Sequence, residues 1–447
     1  MLKNQKVPAF FRWFGYILRL LMKKIRQIFL KLLSDDLLRH TSILFSGMMV
    51  VHVCNMVFQM VVGRVLVAEE FTLLATFLAV LAIIQRPLST LRNGVNHYCS
   101  LLQNDGRIGD VKRLLGKWLL LTGIPAFLLG AVTVWFRGPL AGFLHLNRTD
   151  PVVIAGAVLP ALFWFPILIG ATQGLQLFGR SSVATVFGAL IRLFLGAGFV
   201  WFLYPACGWA MLGHGLSIYV SVVILFCGLL LVLWSHACSS EALPSLRMYL
   251  LQSFFILAAY GILFTSDVIF IKHYLPEDTD FAFAATISRM VALLPGPIVM
   301  AMFPKVVSRG TGTAVQHQVF VKSLSLTAVA TAVGVIGCCL FPGLLAHIVF
   351  GKSEASFALQ QLVRMMSLVM GVSVLLNVTA QFLMAQRRFR QASCIVVSAV
   401  LYVLSACLFH SSTMQIVLAA LICNVMAFVV SLGFAFSKVR TKSGGFA

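Results

Sequence analysis

Acid is scarce in this sequence. Asp and Glu number 13 against 34 Lys and Arg in 447 residues, and charged residues together make up 11% of the chain. A soluble domain carries about 25% charge, so a water-facing surface over most of the length is excluded. No Cys-x-x-Cys pair occurs among the 10 cysteines, which excludes the common zinc and dithiol frameworks. Cys54, Cys227, Cys338, Cys339, Cys394, Cys407 and Cys423 lie in apolar stretches, where cysteine acts as a small hydrophobe. The 10 histidines are scattered without ligand spacing. No connection between apolar stretches is long enough to fold as a domain, so any chemistry must take place within or between helices. A small-residue cleavage site ahead of the first apolar span is missing too, and a cleavable signal is not expected.

What is present is hydrocarbon. Apolar residues reach 60%, in runs of about 20 or more as a bilayer crossing requires. The reading is an all-α polytopic membrane protein with twelve spans. They fall near 41–64, 71–101, 113–136, 152–175, 182–204 and 208–234, then near 249–274, 281–306, 319–349, 359–385, 391–410 and 414–437. A polar connector, Ser235–Arg247, separates the two sets. This divides the chain into a basic amphipathic segment (1–38), an N-terminal six-helix lobe (39–240), a C-terminal six-helix lobe (241–437) and a basic tail (438–447). The net charge of +21 would suggest nucleic acid in a soluble protein. Here most Lys and Arg fall on one side of the spans, the bias that marks a cytoplasmic face. Both termini are therefore expected in the cytoplasm of a bacterial inner membrane. Glu69, Glu70, Asp150, Glu277, Asp278, Asp280 and Glu354 collect at the opposite, acidic end.

The two halves echo one another. Phe71, Ala75, Thr76, Ala82 and Pro87 match Phe281, Ala285, Thr286, Ala292 and Pro297 at a separation of 210, and Gln173, Leu175 and Arg180 match Gln381, Leu383 and Arg388 at 208. Repetition between halves is common in transporter folds, with the substrate held at the repeat interface. Two pseudo-symmetric lobes around a central cavity follow.

Charge inside the spans points to that cavity. Asp267 is the one acid clearly within a span, against Arg86, Arg92, Arg192 and Arg289. An arginine at the bilayer centre costs roughly 2.5–3.5 kcal/mol on insertion scales. Several of them without matching acids suit a cavity visited by an anion, and a guanidinium binds phosphate in bidentate fashion. Arg92 could instead snorkel to the interface. In the first span Asn55 and Gln59 lie on one helical face with His52, and Gln381 gives the tenth span a similar face with Asn377. Such amides either line the cavity or bond neighbouring helices. Asp267 is either a site for a coupling Na⁺ or H⁺ or the structural partner of one arginine. Residues 8–33 read as an interfacial helix, with a basic face and an aromatic lead from Phe10, Phe11, Trp13 and Phe14.

Several motifs resemble a known family. Asp267 followed by Lys272-x-x-Leu275, then Phe281-x-Phe283-x-Ala285, Arg289 and Phe303-Pro304-Lys305, is similar to the seventh and eighth helices of polysaccharide flippases. These belong to the multidrug/oligosaccharidyl-lipid/polysaccharide exporter superfamily. Arg64-x-Leu66-x-x-Glu69-x-Phe71 resembles that family's turn between the first two helices, and Gly188–Gly198, around Arg192, resembles its fifth. Val67-Ala68, Thr72 and Asp280 depart from its usual residues. The lipid II flippase branch, with two further helices, fits less well. The resemblance implies an alternating-access flippase, not an enzyme, moving a polyprenyl-pyrophosphate-linked glycan from the cytoplasmic to the outer leaflet. Its partners would be that glycan, membrane lipids and glycan-assembly enzymes, with no resident cofactor. A cation-coupled multidrug exporter of the same fold would favour acids in the cavity. A membrane-embedded glycan polymerase or ligase would need a large catalytic outer loop.

Overall fold

Within hydrocarbon a chain must satisfy its own backbone N–H and C=O groups, and a run of apolar residues does so only as a helix. The computed structural model describes residues 36–144, 146, 148–237, 247–293, 295, 298, 302, 306, 313–351 and 355–437, and among them every regular element is helical. The expected interfacial helix at 8–33 lies outside the described residues, as does the basic tail 438–447.

In chain order the helices are α1 (Asp36–Val65), α2 (Ala68–Asn104), α3 (Asp110–Trp135), the short α4 (Arg137–Phe143), α5 (Asp150–Gly174), α6 (Phe178–Phe202) and α7 (Cys207–Leu233). The second half supplies α8 (Arg247–Tyr274), α9 (Asp280–Arg289), α10 (Thr313–Leu340), the short α11 (Pro342–Phe350), α12 (Phe357–Ala385), α13 (Phe389–Leu408) and α14 (Thr413–Phe436). Eleven of these helices are long and apolar enough to cross a membrane, counted among the described residues. The expected eighth span, 281–306, is described only in part. It starts as α9 and tightens to a 3₁₀ turn over Met290–Ala292, with Val291 packed against Gly334 of α10. The expected ninth span, 319–349, is two helices rather than one. Pro342 lacks the N–H that would continue α10 and takes the first position of α11 instead.

Packing repeats between the halves. In the first, the packed pairs are α3·α5, α2·α5, α5·α7, α1·α6 and α6·α7; in the second they are α10·α12, α9·α12, α12·α14, α8·α13 and α13·α14. Moving each first-half label seven helices along yields the second set. Details repeat as well. At the acidic end Glu70 accepts the backbone N–H of Cys207, the first residue of α7, at 2.6 Å. In the other half Asp278, in the loop before α9, accepts the hydroxyl of Thr413, the first residue of α14. Both carboxylates therefore sit where a helix N-terminus favours negative charge. The turns after α5 and α12 also coincide, each passing through a positive-φ residue, Gln176 (55°) and Arg387 (56°). Leu177 N bonds Thr172 O, and Arg388 N bonds Leu383 O, both at 2.8 Å. This register lies about one helical turn away from the sequence echo of Gln173 with Gln381.

The halves meet along α2 and α8, with further contacts of α2 to α9 and of α1 to α11. At the acidic end the junction is aromatic. Phe71 of α2 stacks on Phe283 of α9 with centroids 4.7 Å apart, and the Phe350 ring packs edge-on to both at 5.2 and 4.9 Å. All three rings are buried. Counted from the helix starts, Phe283 rather than Phe281 is the counterpart of Phe71.

Candidate functional site

Near the middle of the junction, α2 turns Arg86 toward α8. Pro87 has no N–H, so the carbonyl of Ile83 loses its intrahelical partner. That oxygen faces Gly261 of α8, 3.4 Å from where a Cβ would stand, and the Arg86 stem lies 3.1–3.2 Å from the same point. Gly261 thus opens the slot that the Arg86 stem fills. The guanidinium rests over two rings of α8, 4.4 Å from the centroid of Phe264 and 5.2 Å from that of Tyr260. Cation–π contacts of this kind stabilise by about 0.5–2 kcal/mol, more as water is excluded.

One turn beyond Phe264 on α8 stands Asp267, whose side chain is 8% exposed. Its Oδ1 accepts Nη2–H of Arg289 at 3.4 Å, a long ion pair. Arg289 ends the α-helical part of α9, where the backbone turns 3₁₀. Such irregular backbone is tolerated at membrane depth where it is buried in protein or lines a cavity. The Arg86 guanidinium, over Phe264, lies one turn of α8 away from Asp267. Two guanidinium groups and one carboxylate therefore share this part of the junction, with an excess of one positive charge. The Arg289 Nε–H is buried and has no acceptor among the described residues. Chemically the cluster carries net positive charge and, among the described residues, one unused donor.

A second cluster sits inside the N-terminal lobe. Arg192 of α6 lies where the α-helix widens into a π-helix over Arg192–Ala197. Its Nη1 donates to Asn55 Oδ1 at 3.1 Å and its guanidinium covers Phe58 at 4.4 Å, both partners belonging to α1. Arg192 Nε and the Nδ1 of nearby His214, on α7, are buried without a hydrogen-bond partner among the described residues. His214 meets Phe77 of α2 edge-on at 6.4 Å.

Solved structures share this fold, whereas no family model and no curated protein matches the sequence. An outward-facing multidrug resistance MATE family transporter of the MOP superfamily aligns over 91% of this chain and 96% of its own, with a TM-score of 0.66 at 13% identity. An inward-facing transporter of the same description covers 88% and 98%, with a TM-score of 0.65 at 13% identity. The fold is that of the MATE transporters. At such identity the likeness extends to the fold. A further MATE-like chain, a MOP superfamily transporter from Pyrococcus furiosus, is described by a reverse polarity of its binding pocket suggesting a different function. It covers 90% of this chain and 95% of its own, with a TM-score of 0.57 at 12% identity.

Within this MATE-type fold the residues singled out from sequence divide into groups. Arg86 and Arg289 come together with Asp267 at the lobe junction, and Arg192 joins Asn55 in the N-terminal lobe. No hydrogen bond or ion pair links the two clusters among the described residues. Gln59 and Gln381 are partly buried and form no hydrogen bond there. Arg92 is likewise partly buried without an ion partner among the described residues, its backbone pressed against Gly170 of α5. A cavity of about 610 Å³ opens at the acidic end, lined by Tyr274, Glu277, Asp278, Gln361 and Ser412, and holds none of the arginines. Sequence reasoning missed the ring partners Tyr260, Phe264 and Phe58, together with His214. The signal was present for the first two: Arg86 has no acid within reach on α2, so its partner had to be a π-face or an anion. It missed Asn424 as well, the single asparagine of α14. This side chain is fully buried, accepts from Ser373 at 2.7 Å, and donates to Leu263 O at 3.1 Å and to Ala420 O at 2.8 Å.

Proposed function

We propose that this chain is an alternating-access transporter of a bacterial cytoplasmic membrane, with both termini on the cytoplasmic side. Its cargo is a polyprenyl-pyrophosphate-linked glycan, moved from the cytoplasmic to the outer leaflet. The observation that carries this reading is the junction cluster: two guanidinium groups against one carboxylate, with a buried Arg289 N–H that has no acceptor among the described residues. A diphosphate supplies charge and oxygens together, and a planar guanidinium is suited to both. The polyprenyl tail finds apolar surface in the membrane-facing helices, while Asn55, Gln59, Gln381 and Arg92 supply polar groups for the sugar. The reversed pocket polarity described for the Pyrococcus furiosus chain is a precedent for pockets of differing charge on this fold.

A multidrug exporter is the second reading, favoured by what the first two solved structures are called. Such cargo is usually cationic and would need a free acid. Asp267 is held by Arg289 instead, which speaks for the anion. Reconstituted vesicles decide between them. A fluorescent polyprenyl-pyrophosphoryl saccharide in the donor leaflet should move to the other leaflet in the presence of the protein, and Arg86→Gln with Arg289→Gln should abolish that movement. Movement of a lipophilic cation and none of the saccharide would overturn the reading.

A further inference from the structure

Two contacts across the lobe junction are images of one another. Arg64 lies in the last turn of α1 and crosses to α11 in the other lobe. There its Nε donates to Val349 O at 3.3 Å and its Nη2 to Ile348 O. His273 lies in the last turn of α8, the counterpart of α1, and reaches back to α4, the counterpart of α11. Its Nδ1–H donates to Phe143 O at 2.7 Å, while the imidazole lies flat on the Phe143 ring at 4.0 Å. Each lobe therefore caps the short helix of the other with a basic side chain. The capped carbonyls have no donor within their own helix and carry the negative end of its dipole, so cations are favoured there. The surroundings are shaped to hold the contact. Gly351, at a φ of 71°, ends α11 in the left-handed conformation that frees these carbonyls. A side chain on Gly63, beside Arg64, would run into the Phe350 ring.

We propose that these reciprocal caps are the latch of the gate at the acidic end. They hold the two lobes together there in the state the structure presents, and both must let go before that end can open. Each cap is one or two hydrogen bonds between partly exposed groups, which is enough to bias two conformations and weak enough to break on cargo binding. The aromatic group of Phe71, Phe283 and Phe350 is the seal that the latch keeps closed. The latch rests on the alternating-access reading and is independent of the cargo.

The test uses the full chain reconstituted in lipid with its native cysteines replaced, and measures distances between paired spin labels. Labels at Thr149 and Phe357, exposed at the starts of α5 and α12, report the acidic end. Labels at Asp105 and Arg387, exposed in the turns after α2 and α12, report the opposite end. The parent protein should show a short distance at the acidic end. Arg64→Ala with His273→Ala should make a longer distance the major population there and shorten the distance at the other end. Arg64→Lys, which keeps a cationic donor, should leave the short distance dominant. If the double alanine variant does not elute as a single species, Arg64→Met with His273→Leu takes its place. An unchanged distribution at the acidic end overturns the latch. Lengthening at both ends overturns it too, because that is loss of packing rather than release of a gate. Saccharide movement plays no part in this measurement, so a failure of the cargo assignment leaves its outcome readable.

Discussion

Replacing Asp267 by Asn should tighten the binding of a pyrophosphate rather than weaken it. Asp267 and an anionic cargo compete for the same guanidinium. The carboxylate stands 3.4 Å from Arg289 Nη2. An anionic oxygen accepting from the same group would sit about 5 Å from that carboxylate, and at an effective dielectric of about 20 the repulsion is about 3 kcal/mol. Arg289 is 22% exposed, so solvent screening reduces this, and a gain of roughly 10- to 100-fold in affinity is expected. Without ligand the variant should be less stable, because removing one partner of a buried pair leaves the other uncompensated. Its melting temperature should then rise more on adding pyrophosphate than that of the parent, since tighter binding to the folded state stabilises it further. Purified protein in detergent, titrated with inorganic pyrophosphate and with a short-chain prenyl pyrophosphate, gives both quantities. Transport should fall even as binding improves, because nothing then displaces the cargo. Equal or weaker binding of pyrophosphate by Asp267→Asn would refute the competition. Loss of lipophilic-cation binding in the same variant would show that the acid serves a cation.

Other outcomes follow from single contacts. Gly261→Val should push the Arg86 stem out of its slot, lowering stability by about 1–3 kcal/mol and reducing transport; thermal unfolding and the vesicle assay read the two effects. Asn424→Leu removes the bonds to Ser373 and Leu263 O that tie α14 to α12 and α8. At about 0.6 kcal/mol per interhelical bond, it should lower stability by about 1 kcal/mol in thermal unfolding while leaving pyrophosphate affinity unchanged. Glu70→Ala and Asp278→Ala should each cost about 1 kcal/mol as lost helix-terminal partners. The two effects should be similar, since the residues play the same part in the two lobes.

How far the sequence speaks differs from feature to feature. Spans are legible because hydrocarbon imposes length and composition directly, whereas the break at Pro342 goes unread because it lies in the middle of a continuous apolar run. The repeat is legible too, although its register slips. The turn from α1 to α2 is shorter than that from α8 to α9, so Phe71 pairs with Phe283 and not with the Phe281 that simple spacing offers. The charges inside the spans announce that something polar lies within, but not how they group. Arg86 and Arg289 stand on α2 and α9 and meet only because both helices pack at the junction beside α8. Arg192 looks equivalent to them in sequence, yet α6 packs with α1 and α7 and takes it into one lobe. Caps such as Arg64 on Ile348 and His273 on Phe143 are invisible at this level. They join positions far apart in the chain, and the acceptors are backbone carbonyls that every residue possesses.

The stacking of Phe71 on Phe283 carries a consequence about descent. A residue that packs against its own counterpart lies on the two-fold axis of an isologous interface, the kind a homodimer builds. A single-lobe ancestor would have set the same aromatic side chain against itself, and its two helix caps would have been one contact made twice. Joining the copies in one polypeptide lifts the requirement that both be identical. The two contacts are in fact not identical. One side of the interface now closes with a forked guanidinium and the other with a flat ring that bonds and stacks at once. Two contacts in equivalent places therefore have different chemistry, and each can be tuned separately.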